Sequence, residues 1–391
     1  MTNHITFAAV GDISFARKTE TMLKDHGPAS LFTDIHPKLQ SADIRFGNLE
    51  SVLIPEDFPL KKVSGHPLQS RDFATESLRL LDFNILHMAS NHVLDCGWRG
   101  LLHTYDCIRG IGAQPLGAGY NQADARTLRI VEAKGTKIGF LGYLQAGDWT
   151  LEGGGGRVAY LRLPDVESDI RRYRDQVDVL VISIHGDIEF QPAPSIPRRN
   201  LCRRIAEAGA DLILCHHPHV PQGVEKWGNC LIHYSLGNFL FDTDGYQISN
   251  SPEVTRSHIF FVTIEDGKIT DWHRHYLRLD PNEGGRPRSI QDDQYNEVDA
   301  YFNRLDAILQ DPKRLQEVWQ RSCLNRLSLL MRGFERDVQL DPKQFLHKYG
   351  VQLFSDMSHE YLDGLYDIAR NDYEKHAHAD FEHKRPYAAY E

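Results

Sequence analysis

Residues 5–12, Ile5-Thr6-Phe7-Ala8-Ala9-Val10-Gly11-Asp12, set an apolar run of strand length directly against a glycine and an aspartate. Runs of the same make-up recur at 44–47, 85–89, 138–143, 177–184 and 212–215. Between them, 73–81, 98–111, 166–173 and 198–208 repeat apolar residues at helical spacing. Apolar, β-branched strands alternating with helices predict an α/β layered domain with buried sheets. After Cys215 the pattern changes to strand-like runs at 231–234, 258–264 and 268–277. Asp266-Gly267 joins the last two as a two-residue hairpin signal. A mixed system of two sheets is expected.

Further out, a loop rich in Pro, Gly and Arg covers 280–289. Beyond it Val298, Tyr301, Phe302, Leu305, Ile308 and Leu309 fall on one face of a helix, and Leu315, Val318, Trp319 and 327–331 continue that periodicity. This divides the chain into residues 1–285 and a helical C-terminal extension, 286–391, whose helices are expected to support a homo-oligomer. Residues 371–391 are charged and expected to fray. The glycine run 153–156 reads as a flexible loop, because no Lys-Ser/Thr follows it to make a phosphate cradle.

Composition narrows the function classes. At about 150 residues per domain, 391 residues suit two or three domains. Hydrophobic residues at 41% and charged residues at 25% exclude a disordered chain or a fibre. Lys and Arg (44) against Asp and Glu (54) give a net charge of −10, so nucleic acid is not an expected partner. The 6 cysteines are scattered with no CxxC pair, which reads as reduced thiols in a cytoplasmic protein. No stretch approaches the roughly 20 apolar residues of a membrane helix.

Residues able to hold metal fall where these strands end, the place where open α/β sheets put their ligands. They are Asp12, Glu50, Asn91 with His92, His185, and His217 with His219. Oxygen and imidazole donors without thiolate suit Mn, Fe or Zn. A carboxylate bridging two divalent ions about 3.5–4 Å apart is the arrangement for displacement at phosphorus. Pro218 is expected to hold His217 extended, so that His217 and His219 share one side and His216 takes the other, for packing or for holding a ligand. His92 adjoins Asn91 and is placed to give a proton to a leaving oxygen. Asp95 either orients that imidazole or caps the following helix. Arg17, Arg45, Arg71 and Lys61 or Lys62 are the candidate anchors for substrate.

In this order the residues resemble the CapA family, the capsule and poly-γ-glutamate biosynthesis proteins, similar in turn to calcineurin-like metallophosphoesterases. The resemblance rests on Ala9-Val10-Gly11-Asp12, Phe46-Gly47-Asn48-Leu49-Glu50, Ser90-Asn91-His92 with Asp95 and Gly97, and Gly139-Phe140-Leu141-Gly142-Tyr143. Ser183-Ile184-His185, Ala208-Gly209-Ala210-Asp211, His216-His217-Pro218-His219 and Tyr234-Ser235-Leu236-Gly237-Asn238-Phe239 complete it. It covers about residues 5–241.

The resemblance implies a four-layer α/β/β/α sandwich, metallophosphatase-like, with metals at its rim. Asp12, Glu50 and His219 would hold one ion, and Glu50, Asn91, His185 and His217 the other, with His92 catalytic. Ser14 stands where a histidine is usual two residues after the aspartate, and Cys215 where a glycine is usual. Asp187 and Glu189, after His185, are either carboxylates that hold the imidazoles or solvated loop charges. The expected function is a metal-dependent hydrolase, a phosphoesterase using a metal-activated water. The alternative is a capsule or poly-γ-glutamate component that binds or processes γ-glutamyl polymer without phosphatase activity. The expected partner is a phosphorylated or γ-glutamyl small molecule or polymer.

Overall fold

A computed structural model describes residues 3–58, 67–145, 157–243 and 252–336, with Tyr361, Gly364 and Leu365. Lys61, Lys62, the glycine run 153–156 and residues 371–391 lie outside the described residues.

The apolar runs form two sheets. The first has the order β16 (Arg286–Ser289), β15 (Lys268–Asp280), β14 (Arg256–Glu265), β1 (His4–Ile13), β2 (Ile44–Leu49), β5 (Ile85–His87) and β6 (Gln114–Leu116). β13 (Asn238–Leu240) adds to the end of β1. The second has the order β11 (Val224–Trp227), β12 (Cys230–His233), β10 (Leu212–His216), β9 (Val179–His185), β8 (Thr136–Leu144) and β7 (Arg129–Ala133). β3 (Val52–Ile54) and β4 (Gln69–Arg71) make a separate small pair. Central strands are parallel, and antiparallel strands β14–β16, β7 and β11 sit toward the edges. Both sheets are therefore mixed, as expected. The Asp266-Gly267 hairpin is present, with both residues at positive φ (48° and 73°), as a tight primed turn requires.

Three apolar layers separate four structural ones. Phe7, Phe46, Phe140, Val181, Leu214 and Phe260 pack between the sheets. The outer face of the first sheet is covered by α1 (Lys18–His26), α2 (His36–Gln40), α3 (Thr75–Leu81) and α4 (Gly97–Gly110), through Leu23, Leu39, Leu78 and Leu101. The outer face of the second is covered by α6 (Leu163–Tyr173) and α7 (Ile196–Glu207), through Val166, Ile170, Cys202 and Ile205. Short α5 (Gln122–Ala125) and α8 (Pro252–Thr255) lie in connections. The α/β/β/α sandwich is thus the architecture found. A β-strand buried on both faces explains why the sequence reads as continuous apolar runs rather than alternation.

The helical periodicity after residue 295 also appears, as α9 (Tyr295–Gln310) and α10 (Pro312–Arg336). All six expected face residues of α9 are buried. Ile308, Leu309, Leu315 and Val318 join the outer layer of the second sheet. Arg274 of β15 pairs with Asp306 through both terminal nitrogens, at 2.8 and 2.7 Å. Strand β16 lies just past the expected division at residue 285 and pairs with β15, so the first sheet runs across that division. Among the described residues no helix is long and apolar enough to cross a membrane. The six cysteines are free thiols.

Candidate metal centre

Strand register brings the distant residues together. Asp12 pairs with Asn48 across β1–β2 and with Asn238 across β1–β13. His185 lies beside His216 on one flank and Leu144 on the other. Asp12 was expected after its strand and instead lies inside it. The short β13 extends the pairing of β1 past the apolar run, and the Asp12 N–H donates to Gly237 O at 2.9 Å. The chains approach so closely there that a Cβ on Gly11 would stand 1.9 Å from that carbonyl oxygen.

Glu50, which follows β2, is the hub. Its Oε1 lies 3.7 Å from His219 Nε2, 3.8 Å from His92 Nε2 and 3.9 Å from His185 Nε2. These distances are too long for hydrogen bonds. They suit ligand atoms sharing a cation, since two donors each about 2.1 Å from one ion stand about 3.4 Å apart in a tetrahedral site. Both Glu50 oxygens are buried and lack a hydrogen-bond partner. A buried carboxylate in that condition is costly unless a cation faces it, so the residues present fit a divalent metal. Glu50, His185 and His217 form one triad able to hold an ion, and Asp12, Glu50 and His219 a second. Glu189 makes a third with His217 and His219. Asn91 Oδ1 lies 2.9 Å from His185 Nε2, on the side of the first triad.

Charge follows from this crowding. Burial pushes the Glu50 carboxyl well above its ordinary range, and Asp12 adds to the push, although His219 opposes it. Burial also raises Asp12, but His216 and His219 beside it outweigh that and hold its carboxyl low. Burial lowers His185, with His217 adding repulsion, and lowers His217 to about 4. Both rings are then neutral and present a lone pair. Burial disfavours charge on His219 too, yet the Glu50 and Asp12 carboxylates hold its proton well above the usual histidine range.

His92 differs from these candidate ligand rings. Its side chain is 16% exposed, while that of His185 is fully buried. Its Nδ1 lies 2.7 Å from Asp95 Oδ2, which turns Nε2 toward Glu50. Asp95 also accepts the Leu68 N–H at 2.7 Å, while the residue before α4 is Cys96, with no side-chain cap. The Asp95 carboxylate thus lies against the His92 imidazole and does not cap α4.

The loop 216–219 departs from expectation. His217 has φ 97° and His219 φ 59°, rather than an extended pre-proline residue. Tertiary hydrogen bonds override the local preference: Gly186 N–H donates to His216 O at 3.0 Å and Phe190 N–H to Pro218 O at 2.8 Å. Such backbone costs on the order of 1–3 kcal/mol per residue and persists where surroundings hold it. His216 is buried, stacked 5.8 Å from Phe46, with Nδ1 3.6 Å from Asp12 Oδ1.

Other expectations divide. Glu189 Oε1 reaches 4.0 Å from His217 Nε2, whereas Asp187 Oδ2 accepts the Ser195 N–H at 3.0 Å, tying its loop to α7. The three proposed arginine anchors are engaged elsewhere. Arg45 binds Asp82 at 2.6 Å, Arg71 donates to Pro55 O at 2.7 Å, and Arg17 Nη1 lies 3.5 Å from Asp242 O. Two residues carried no sequence-derived role. Asn48 Nδ2 donates to Asp12 Oδ1 at 2.8 Å and lies 3.2 Å from His185 Nδ1, and Asn238 Oδ1 lies 3.0 Å from His219 Nδ1. Strand alternation puts Asn48 on the same side as Glu50 and was the available signal.

Comparison with known proteins adds a family. Residues 6–243 match the family described as bacterial capsule synthesis protein PGA_cap. The PGA biosynthesis protein CapA of Bacillus subtilis is 29% identical over 260 residues, 64% of this chain and 66% of the relative. The capsule biosynthesis protein CapA of Bacillus anthracis is 27% identical over 265 residues, 65% of this chain and 64% of the relative. The chain thus spans just under two thirds of the length of these two relatives. A solved structure titled as a putative 5'-nucleotidase from Staphylococcus aureus aligns with TM-score 0.45 at 14% identity, over 78% of this chain and 59% of that one.

Proposed function

The chain belongs to the bacterial capsule synthesis protein family PGA_cap, and from that premise we propose that it is a metal-dependent hydrolase acting on a phosphoester. The observation that carries the reading is Glu50, a buried carboxylate without hydrogen-bond partners that belongs to two ligand triads at once. Asp12, Glu50 and His219 would hold one divalent ion, and Glu50, Asn91, His185 and His217 a second. Bound ions of this kind lower the pKa of water and neutralise charge on phosphoryl oxygens. His92, held by Asp95 and open to solvent, donates a proton to the leaving oxygen. Asn48 and Asn238 keep Asp12, His185 and His219 in place.

A second reading has its own support in the family and in relatives named for capsule and PGA biosynthesis. In it the protein binds or processes γ-glutamyl polymer, with the metal cluster holding the polymer or the fold. The free thiols support placing either activity in the cytoplasm. Residues 286–391 remain the proposed helical extension. Leu327 and Met331, exposed one turn apart on α10, support a homo-oligomer through it.

The discriminating experiment supplies Mn²⁺ to the purified protein and offers aryl phosphates, phosphodiesters and γ-glutamyl peptides in parallel. Metal-dependent release of phosphate, or opening of a phosphodiester, supports the first reading. Polymer binding with no hydrolysis of any phosphoester favours the second.

A further inference from the structure

Trp98 lies three residues after Asp95, in the first turn of α4. Trp98 is 43% exposed. Two guanidinium groups face that ring, with Arg99 Cζ 5.4 Å and Arg157 Cζ 5.2 Å from its centroid. Arg157 comes from a distant segment. Its carbonyl accepts the Gly119 N–H at 2.9 Å, and Val158 bridges Ala118 beyond the end of β6. Ala159 in turn accepts the Leu144 N–H at the end of β8, and the next residue, Gln145, donates its N–H to His185 O at 2.9 Å. Trp98, Arg99 and Arg157 therefore stand on the same rim as the metal cluster, at the C-terminal ends of β5, β6 and β8.

Two cations on one ring repel each other, and each cation–π contact at an exposed site offsets little of that. Nearby arginines are neutralised: Arg129 pairs with Asp124 at 2.7 Å and Arg126 with Asp169 at 2.8 Å. Asp106, in the same region, is engaged by the Tyr120 hydroxyl. Among the described residues Arg99 and Arg157 have no ion-pair or hydrogen-bond partner for their guanidinium groups, and Arg157 Nε is buried in that state. A planar guanidinium offers parallel N–H donors that match a carboxylate or a phosphate.

We propose that Trp98, Arg99 and Arg157 form a subsite for an oxyanion that the substrate carries away from the bond held at the metal cluster. This rests on the reading of that cluster as the place where the substrate is processed. The indole face covers the carbon skeleton next to the anion while the two arginines take its oxygens. A γ-linked glutamate chain, with a free carboxylate on every residue, and a phosphate group are the two sources of that chemistry.

The test uses the full chain stripped of metal with EDTA, so that binding is read without turnover. A γ-linked glutamate oligomer and inorganic phosphate are titrated separately by calorimetry and by indole fluorescence. At least one binds, the emission change disappears in Trp98→Phe, and the Arg99→Ala/Arg157→Ala double variant binds at least about tenfold more weakly. The Arg99→Lys/Arg157→Lys variant recovers part of the loss. Oligomer alone assigns the anion to a carboxylate, and phosphate alone to a phosphate group. Equal binding by the double Ala variant, or binding of neither probe, overturns the proposal. Manganese content of the double Ala variant, measured after reloading, stays at the wild-type value and shows that its fold is intact. Loss of the hydrolase reading would leave arginine-dependent binding in place, and loss of arginine dependence would leave the metal cluster untouched.

Discussion

His233 and His258 meet between the two sheets with their Nε2 atoms 2.9 Å apart and rings stacked at 5.0 Å, while His185, His217 and His219 meet at the rim around Glu50 and Asp12. All five are buried. The inner pair has aromatic neighbours, Phe260 at 4.7 Å from His233 and Phe302 at 5.0 Å from His258, and its nearby charge is the cation Arg274. The rim group contains two buried carboxylates. Burial pushes every one of these rings toward the neutral form, but only the rim has carboxylates, which hold the proton on His219 and add the negative field that a cation needs. The inner pair thus has the make-up of a packing device, and the rim group that of a set able to hold a metal ion.

Substitution separates the two most strongly. Asp12→Ala or His217→Ala is expected to remove about one of the two bound manganese ions and to lower metal-dependent turnover by roughly a thousandfold, the scale of several kcal/mol of charge stabilisation. His233→Phe/His258→Phe removes both ends of one hydrogen bond and is expected to keep full metal content. Elemental analysis and kinetics check both, and equal metal loss in the inner variant would erase the distinction.

A smaller effect sharpens the difference within the rim, between rings proposed to hold metal and the one that faces solvent. His92→Ala should retain metal and lose about a hundredfold in rate on an alkyl phosphate, where the leaving oxygen needs a proton. On an aryl phosphate with a good leaving group the loss should be well under tenfold. Equal losses on both substrates would remove the acid role from His92.

The smallest effect is on stability. Burial holds His233 and His258 well below the ordinary histidine range, with repulsion between them lowering His233 and Arg274 lowering both. The unfolded chain then binds protons near pH 6.5 that the folded one refuses, so stability rises with pH there. The pair's contribution is complete above about pH 6.5 and is lost as pH falls through it, by up to about 1.4 kcal/mol per pH unit for each ring. His219 carries the opposite sign, since its proton is retained in the fold. It is common to both proteins compared, so it cancels. Denaturant melts of metal-free protein at pH 7.5 and 5.5 should show a steeper loss for the wild type than for His233→Phe/His258→Phe.

The comparison also explains what could be read from the chain. Strands β1, β2, β8, β9 and β10 are buried on both faces, and their apolar runs announce them. The candidate ligands at their ends were legible for the same reason, because a charged residue directly after such a run has few places to go. Three-residue strands such as β13 have no pattern long enough to see, so Asp12 was expected outside its strand. The positive φ of His217 arises from hydrogen bonds to residues some thirty positions earlier or more distant, which no local rule for X-Pro contains. Arg45 looked free because its partner, Asp82, lies 37 residues away. Asp95 sat between two equally good local roles, and only the 2.7 Å contact with His92 separates them.

The central claim is that Glu50 serves two cation sites at once. Counting manganese per chain by elemental analysis, after saturation and removal of free metal, tests it in three proteins side by side. The account predicts two ions in the wild type, about one in His185→Ala, and close to none in Glu50→Gln. Full metal content in Glu50→Gln would contradict it.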